Sequence, residues 1–402
     1  MTALERRTVA SLALLYSFRM LGLFMVLPLL ALYAADMPGA SPSLIGLALG
    51  AYGLTQALLQ IPFGWLSDRI GRKPVIVAGL VLFALGSLVA GVAEDTLGII
   101  LGRALQGAGA IAGTVMALAA DLTRDEQRTK AMAIIGVSIG MSFAVALVLG
   151  PVVAGQWGLS AVFFLTAVLA VAGIAIVRFA VPTPPSIVSI AGSAGSERGS
   201  TIQSLRKSFL DPALARLNFG VFVLHVILMS CFLVVPQLLE SVAGISREYH
   251  WQIYLPALVL SVVGMLPLMR MAERGGRPRE MFLFGIGLTL VSVLILGFAR
   301  SATALYLGLW VFFVGFNYLE ATLPSLVSKT VFAGEKGSAL GMYSTCQFLG
   351  AFAGGAGGGW VVQAMGVNSA FWLSAVLVIA WLLAASRMTH GDMLGRSQLP
   401  QP

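Results

Sequence analysis

Charged residues are scarce in this sequence. Asp, Glu, Lys and Arg supply 10% of the 402 residues, while hydrophobic residues supply 58% and the mean hydropathy is +0.91. A soluble domain needs far more polar residues than this to cover its surface. The composition therefore excludes a soluble globular protein and predicts a chain that lies in a lipid bilayer.

Cysteine and histidine are almost absent, with two and three copies. Cys231 and Cys346 both lie in apolar stretches, where a free thiol packs as a small hydrophobic group. The sequence has no Walker loop, no His or Cys cluster at metal-ligand spacing and no motif that supports a catalytic nucleophile. We expect no enzyme activity, no ATP-driven pump, no metal and no cofactor.

What the sequence has in abundance is long apolar runs. A helix needs about 20 mostly apolar residues to cross the hydrocarbon layer, and twelve runs meet that length. They are continuous rather than alternating, which favours helices over the strands of a membrane barrel. We predict an all-α integral membrane protein with twelve transmembrane helices, with eleven or thirteen as alternative counts. The predicted spans are residues 10–34, 43–67, 74–93, 96–120, 131–155, 158–181, 216–242, 249–270, 281–299, 302–328, 337–363 and 367–387.

Basic residues are distributed unevenly over the connecting loops. With a cytoplasmic N-terminus, 21 of the 25 Lys and Arg fall on the cytoplasmic side, while Arg247 and Arg300 lie outside and Arg19 and Arg103 lie within spans. This positive-inside asymmetry predicts that both termini are cytoplasmic, in the inner (plasma) membrane. Nucleic-acid binding is the rival explanation of the net charge of +8. Because the basic residues are spread over many short loops, we expect no nucleic-acid partner.

A segment rich in Pro, Ser and Gly, residues 182–200, interrupts the apolar pattern. It divides the spans into six and six, which predicts a first six-helix bundle at 1–181 and a second at 212–387, followed by a cytoplasmic tail at 388–402. The cytoplasmic linker is then 182–211. Within it, "IQSLRKSFL" fits either a short amphipathic helix at the membrane surface or a disordered stretch.

The two bundles carry matching motifs. "DRIGRKP" follows the second span and "ERGGRP" follows the eighth, with Asp68 and Glu273 separated by 205 residues. Gly150 and Gly357 lie in similar surroundings 207 residues apart. The near-constant offset predicts an internal duplication and two pseudo-symmetric halves. Parallel repeats of this kind are a transporter architecture, with the substrate site near the midplane between the halves.

Three motifs carry a family resemblance. "GWLSDRIGRKPV", from Gly64, resembles the loop between the second and third helices of the major facilitator superfamily, "LGRALQGAGA" its fourth-helix motif, and "GPVVAG" in part its fifth-helix antiporter motif, with Gly150, Pro151 and Gly155 in place. Other segments, such as "NYLEATLPSLVSK", resemble the YajR-type drug/proton antiporters. That group carries a small soluble domain after its twelfth helix, whereas this sequence continues for about 15 residues beyond it.

The resemblance implies a conformational latch in the loop after the second span. We use the name latch loop for its motif residues Gly64, Asp68, Arg69, Gly71, Arg72 and Lys73. The family places the acid of this loop at the start of the eleventh helix, here around Gly337, where the positive end of a helix favours a carboxylate. Arg72 is expected to reach Asp121. The alternative is an ordinary basic loop that only sets topology.

Ionisable residues inside the membrane are costly, so each is a functional candidate. We expect proton coupling to involve Glu320, His225, Arg103 or Arg19, because burial favours the neutral form of a carboxyl and His titrates near neutral pH. A structural polar contact between helices is the alternative for each. The uncharged polar or aromatic candidates for a substrate cavity are Gln56, Gln60, Gln106, Asn317, Tyr318, Tyr343 and Gln347.

Together these patterns predict a proton-coupled secondary transporter that exports amphiphilic small molecules by antiport. A proton symporter for a metabolite or sugar is one alternative, and a non-transporting membrane sensor on the same fold is another. The expected partners are a small-molecule substrate, protons and membrane lipids. We expect the chain to be a monomer.

Overall fold

The computed structural model describes residues 1–182, 211–331 and 336–388, and these residues form helices joined by short loops, without a strand. The predicted linker segment at 183–210, with its candidate amphipathic helix, and the tail from residue 389 lie outside the described residues. The helices are α1 (Ala3–Tyr33), α2 (Pro42–Ile70), α3 (Arg72–Gly91), α4 (Thr96–Ala108), α5 (Ala112–Asp121), α6 (Asp125–Ala175), α7 (Pro212–Ser241), α8 (Trp251–Glu273), α9 (Pro278–Phe298), α10 (Ala302–Thr330), α11 (Lys336–Phe352), α12 (Gly358–Met365) and α13 (Ser369–Ser386).

Each predicted span corresponds to helix in the structure. By length and hydropathy alone, ten helices of the described chain can cross a membrane, and the longest of them contains two predicted spans. Gly158, with φ of 77°, divides α6 into these two. The eleventh span consists of α11 and α12, joined by the π-helical turn Ala353–Gly357, and the fourth consists of α4 and α5.

The first helix begins seven residues earlier than predicted, and a capping box explains this. The Thr2 hydroxyl accepts the Glu5 N–H, and the Glu5 carboxylate accepts the Thr2 N–H. These two bonds satisfy free donors at the helix start, so the helix extends beyond its apolar stretch. Hydropathy marks only the part of a helix that crosses the bilayer.

Turn glycines repeat between the two halves. The described glycines with positive φ form three pairs, Gly39 with Gly244, Gly71 with Gly276 and Gly158 with Gly366, separated by 205, 205 and 208 residues. Each pair occupies equivalent connections, because the helices before and after it match in order. A left-handed backbone is strained for other residues, so glycine is required at these corners. The spacing agrees with the predicted duplication.

Among the described residues, the halves α1–α6 and α7–α13 contact each other closely at one end only. We call the end where α1 begins and α13 ends the terminal end, and the other the opposite end. Near the opposite end α2 packs directly on α11 and α12: a methyl group on Gly46 would lie 2.7 Å from the Gly359 Cα, and one on Gly50 would lie 2.8 Å from the Phe352 carbonyl oxygen. Toward the terminal end, methyl groups on Gly64 of α2 and Gly337 of α11 would meet nothing within 4 Å. The two halves therefore separate toward the terminal end.

Candidate functional site

Three predicted residues of the second half form one hydrogen-bonded cluster. Gln347 of α11 lies with its Nε2 3.1 Å from Glu320 Oε1 of α10 and 2.9 Å from His225 Nε2 of α7. His225 Nδ1 lies 3.1 Å from the Val221 carbonyl oxygen. A carbonyl only accepts, so Nδ1 carries the proton and Nε2 accepts from the Gln347 amide. The imidazole is then neutral, and the amide joins it to the carboxylate.

Glu320 faces an open space. Its side chain is 35% exposed, although it lies well inside α10, whereas its Oε2 atom is buried, lies 4.0 Å from His225 Nε2 and has no hydrogen-bond partner among the described residues. Asn317, Ser325 and Ser328 share the partly exposed side of the same helix. Such a polar stripe does not face lipid, because hydrocarbon leaves polar groups unsatisfied. It borders the space between the two halves.

Arg19 of α1 lies inside the first half, 1% exposed. Its Nη2 is 3.0 Å from the Tyr52 hydroxyl oxygen, 2.9 Å from Gln56 Oε1 and 3.1 Å from the Gly109 carbonyl oxygen. The Gly109 carbonyl is available because the chain leaves the helical path between α4 and α5, so the usual acceptor role of that oxygen within a helix is lost. The predicted residues Arg19 and Gln56 are thus in direct contact.

Arg103 of α4 approaches the same tyrosine. Its guanidinium carbon is 5.1 Å from the centre of the Tyr52 ring, and its Nη1 donates to Gln106 Oε1 at 2.9 Å. Gln106 in turn donates to Ser87 Oγ at 2.8 Å and is fully buried. Gln106 therefore braces Arg103 between α3 and α4, and in this conformation it does not line the space between the halves.

The remaining predicted cavity residues divide between two surroundings. Asn317 donates to Ser261 Oγ at 2.8 Å, across α10 and α8. Tyr343 is 4% exposed and Gln60 is 8% exposed, so both side chains are buried in this conformation. Tyr318 is 1% exposed and packs against Gly285 of α9, on the side of α10 away from Glu320. The structure therefore places Tyr318 within its own half.

The latch loop is anchored within the first half. Arg72 Nε donates to Asp121 Oδ2 at 3.1 Å, the contact that the sequence predicts, and Arg72 also pairs with Asp68. Gly71 has φ of 96°, as the tight turn requires. Arg69 stacks on the Trp65 ring at 3.8 Å, and Lys73 donates to the Val181 carbonyl.

Among the described residues, Asp68 pairs with Arg72 and not with the start of α11 in this conformation. Its side chain is 60% exposed, and the position of Gly337 borders open space. The physical reason is that the terminal end is open, so the two helices are apart. The Arg72–Asp121 pair, by contrast, joins α3 to α5 within one half and forms while this end is open. Asp68 is exposed and can therefore exchange Arg72 for another partner when the halves approach.

The fifth-helix motif lies against α1 and the opposite end. A methyl group on Gly150 would lie 2.9 Å from the Met25 carbonyl oxygen, and one on Gly155 would lie 2.7 Å from Cγ of Glu248 in the second half. Pro151 lies inside the same helix. These glycines allow α6 to approach both neighbours closely, and Gly155 takes part in the closure of the opposite end.

Comparison of the sequence with models of protein families identifies the family of this protein. The model of the Major Facilitator Superfamily matches residues 12–265 and 219–393. The chain belongs to this superfamily. Members are membrane transport proteins that bind small-molecule substrates, not enzymes, and the two-half, twelve-helix fold follows from the same membership.

Several known proteins are similar to this superfamily member in sequence or structure over most of its length. The inner membrane transport protein YajR of Escherichia coli (strain K12) is 47% identical over 403 residues, covering 100% of this chain and 87% of the relative. The multidrug resistance protein MdtH of Aeromonas hydrophila is 27% identical over 345 residues, covering 84% of this chain and 83% of MdtH. A bacterial homologue of the human lysosomal transporter Spinster, in an inward-facing and occupied conformation, superposes with a TM-score of 0.81 at 13% identity, covering 98% of this chain and 100% of that one.

Sequence reasoning missed one charged cluster of this transporter. At the opposite end, Arg247 donates from Nη1 to Asp36 Oδ2 at 2.9 Å and from Nε to Glu240 Oε1 at 3.0 Å, and its guanidinium lies 4.9 Å from the centre of the Tyr33 ring. Asp36 belongs to the first half and Arg247 to the second. The signal was available in the sequence, because Arg247 is one of only two basic residues predicted outside and acidic residues flank the same loops. We call this cluster the Arg247 bridge.

Proposed function

We propose that the chain is a proton-coupled transporter that exports amphiphilic small molecules by antiport, with both termini in the cytoplasm. The observation that carries this proposal is the Glu320–Gln347–His225 cluster, a protonatable carboxylate held inside the membrane part of the protein and exposed to the space between the halves. Ionisable groups in this setting mark proton and substrate pathways in membrane proteins.

The cluster provides a way to couple a proton to conformation. Ionised Glu320 accepts a hydrogen bond from Gln347, whose other N–H is directed to His225. A proton on Glu320 removes its charge, weakens this charge-assisted bond and frees the Gln347 amide. The carboxyl then exchanges its proton with whichever end is open. A difference in proton affinity between the two conformations is what links proton flow to transport.

The relatives support the chemical class of the substrate and the location. E. coli YajR is named as an inner membrane transport protein, and the MdtH relatives are named as multidrug resistance proteins. An exporter of varied amphiphilic compounds fits a protein that has partly exposed apolar residues such as Phe24, Met116 and Phe348 beside a few polar groups in its membrane part. The basic loops at the terminal end support a cytoplasmic position of that end.

The test is proton flux in proteoliposomes that contain the purified chain and a luminal pH indicator. When an amphiphilic compound is added outside, antiport should drive protons out and raise the luminal pH, whereas symport should lower it. Glu320→Gln should abolish the pH change while leaving exchange of labelled compound, because the amide mimics the protonated acid but cannot release a proton. Glu94→Gln, the same change in an exposed loop, should behave as the wild type. A persistent pH change in Glu320→Gln would contradict the assignment of Glu320.

A further inference from the structure

The surroundings of Arg19 contain more hydrogen-bond donors than acceptors. Only Nη2 of its guanidinium is engaged; Nε and Nη1 have no partner among the described residues. Gln56 gives its Oε1 to Arg19, while its Nε2 also lacks a described partner. Both side chains are buried, at 1% and 0% exposure. Buried polar groups in proteins are nearly always satisfied, so this cluster calls for an acceptor.

The positive charge of Arg19 also has no carboxylate partner among the described residues, although its guanidinium carbon lies 5.8 Å from the centre of the Phe83 ring. The ion pairs among the described residues include neither Arg19 nor Arg103, and both arginines contact Tyr52. Glu320, the acid inside α10, is bonded to Gln347 in the other half. Two buried guanidinium groups without a carboxylate are costly in a membrane protein. An anion beside Arg19 would remove most of that cost.

The backbone near Arg19 has the form of a site. The chain leaves helical geometry between Ala108 and Ala112, and the Gly109 carbonyl oxygen turns to the guanidinium. Gly113, in the first turn of α5, is exposed and has no atom within 4 Å of the position of a Cβ. Interrupted helices at the middle of the membrane form the substrate sites of several transporter folds. This interruption contacts Arg19 through the Gly109 carbonyl oxygen and continues to the exposed Gly113.

We propose that Arg19 and Gln56 bind the carboxylate of an amphiphilic organic acid, so that the compounds transported are organic anions. A carboxylate accepts hydrogen bonds without donating any, and it matches the planar fork of a guanidinium bidentately. The proposal rests on the proposed transport function, since it names the substrate class of the same pathway. The competing role for Arg19 is a structural tie that holds the interrupted fourth span.

Binding measurements separate these roles. The purified full chain is placed in nanodiscs of phosphatidylcholine in chloride-free buffer, and decanoate or its neutral amide, decanamide, is titrated while thermal unfolding is followed by tryptophan fluorescence. A ligand that binds the folded state raises the unfolding temperature. We expect decanoate to bind about tenfold or more tightly than decanamide, the effect of a charged hydrogen-bonded pair. Arg19→Gln should lose this preference and Arg19→Lys should keep part of it, while Arg6→Gln, the same change on the exposed start of α1, should keep all of it.

Several results would overturn the proposal. Equal binding of decanoate and decanamide to the wild type is one, and an unchanged preference in Arg19→Gln is another. If Arg19→Gln does not fold, Gln56→Leu removes the second donor, and unaltered decanoate affinity in that variant counts against the site. Stabilisation by chloride alone, or by phosphatidylglycerol nanodiscs without decanoate, that disappears in Gln56→Leu would assign the site to an inorganic anion or a lipid headgroup instead.

The outcome is independent of proton coupling. Decanoate binding is measured at equilibrium without a pH gradient, so the measurement does not require Glu320 to be the coupling residue. A failure of antiport with normal decanoate binding would therefore reject the proposed coupling and leave the anion site. Normal antiport of neutral compounds without decanoate binding would do the reverse.

Discussion

The two ends of the interface between the halves are held by different forces. At the opposite end, glycines of α2 face backbone atoms of α11 and α12, and the Ser43 N–H donates to Gln363 Oε1 at 3.2 Å. At the terminal end, charged groups are numerous but bond within their own half, as Arg72 does with Asp121 and Glu5 with Arg124. The closed end is thus closed mainly by shape, and the open end is rich in charge.

The difference indicates how each end can open and close. Close backbone packing without side chains gains dispersion contacts only when the fit is complete, so it acts over a very short distance. Charges act over a longer range and keep their bonds to water or to neighbours when the halves separate. We infer that the terminal end can close by a change of charge partners, whereas the opposite end opens by loss of a steric fit.

The largest effect on the distribution of conformations is expected from adding a side chain where α2 packs against α12. Gly46→Ala places a methyl group 2.7 Å from the Gly359 Cα, where backbone atoms cannot move aside as a flexible side chain would. Overpacking of this kind costs about 1 to 3 kcal/mol, so conformations with the opposite end open should be enriched by about fivefold or more. Distances between spin labels at residues 94 and 368 should lengthen, with the native cysteines replaced.

A matched control shows whether crowding is the cause. Gly287→Ala adds the same methyl group to α9, where nothing lies within 4 Å of it. This variant should give the distance distribution of the wild type. An unchanged distribution in Gly46→Ala as well would mean that the close fit between α2 and α12 does not hold the end closed.

A smaller effect is expected at the terminal end, from Asp68→Asn. In this conformation Asp68 is exposed and pairs with Arg72. Replacing its carboxylate by an amide should therefore destabilise the conformation with the terminal end open only slightly. When the end closes, the resemblance to the family places Asp68 at the positive end of α11, and the lost attraction is about 0.3 to 2 kcal/mol. Distances between spin labels at residues 126 and 329 should show a smaller population with the terminal end closed, and transport should be slower.

Asp121→Asn is the sharpest comparison for that variant. It is the same change from acid to amide, and it also removes a partner of Arg72, but Asp121, unlike Asp68, is not expected to contact the second half when the terminal end closes. It should leave the distribution between residues 126 and 329 nearly unaltered. Equal shifts in both variants would mean that the latch loop only stabilises the first half and does not hold the terminal end closed.

The sequence predicted the helices well because the bilayer imposes a length that hydropathy measures. It did not predict the interruption at Gly109 or the π-helical turn after Phe352, since neither changes the apolar character of the run. Rotational position was harder still. Gln106 and Gln347 received the same prediction, yet one braces Arg103 and the other joins Glu320 to His225. Helices that are hydrophobic all round carry no pattern that tells which side faces a cavity.

Long-range pairing was also beyond the sequence. Glu320 and His225 were predicted as alternatives for one role, and the structure connects them through a third helix. The Arg247 bridge joins residues 211 positions apart, for which loop composition gives only the sign of the charges. By contrast, Arg72 and Asp121 were paired correctly because the family motif carries that geometry with it.

The smallest effect is expected from the Arg247 bridge. Arg247→Gln removes both ion pairs, yet the Asp36 side chain is 69% exposed and solvent screens much of the attraction. Partly exposed pairs contribute about 0.2 to 1 kcal/mol. The population of molecules with the opposite end open, measured between labels at residues 94 and 368, should therefore increase by no more than about fivefold. Arg300→Gln, an exposed arginine at the same end, is the control for charge alone. High salt should reproduce the shift in the wild type and leave Arg247→Gln unaffected, because only the wild type retains the bridge for salt to screen. A shift as large as that of Gly46→Ala would mean that charge, rather than shape, closes this end.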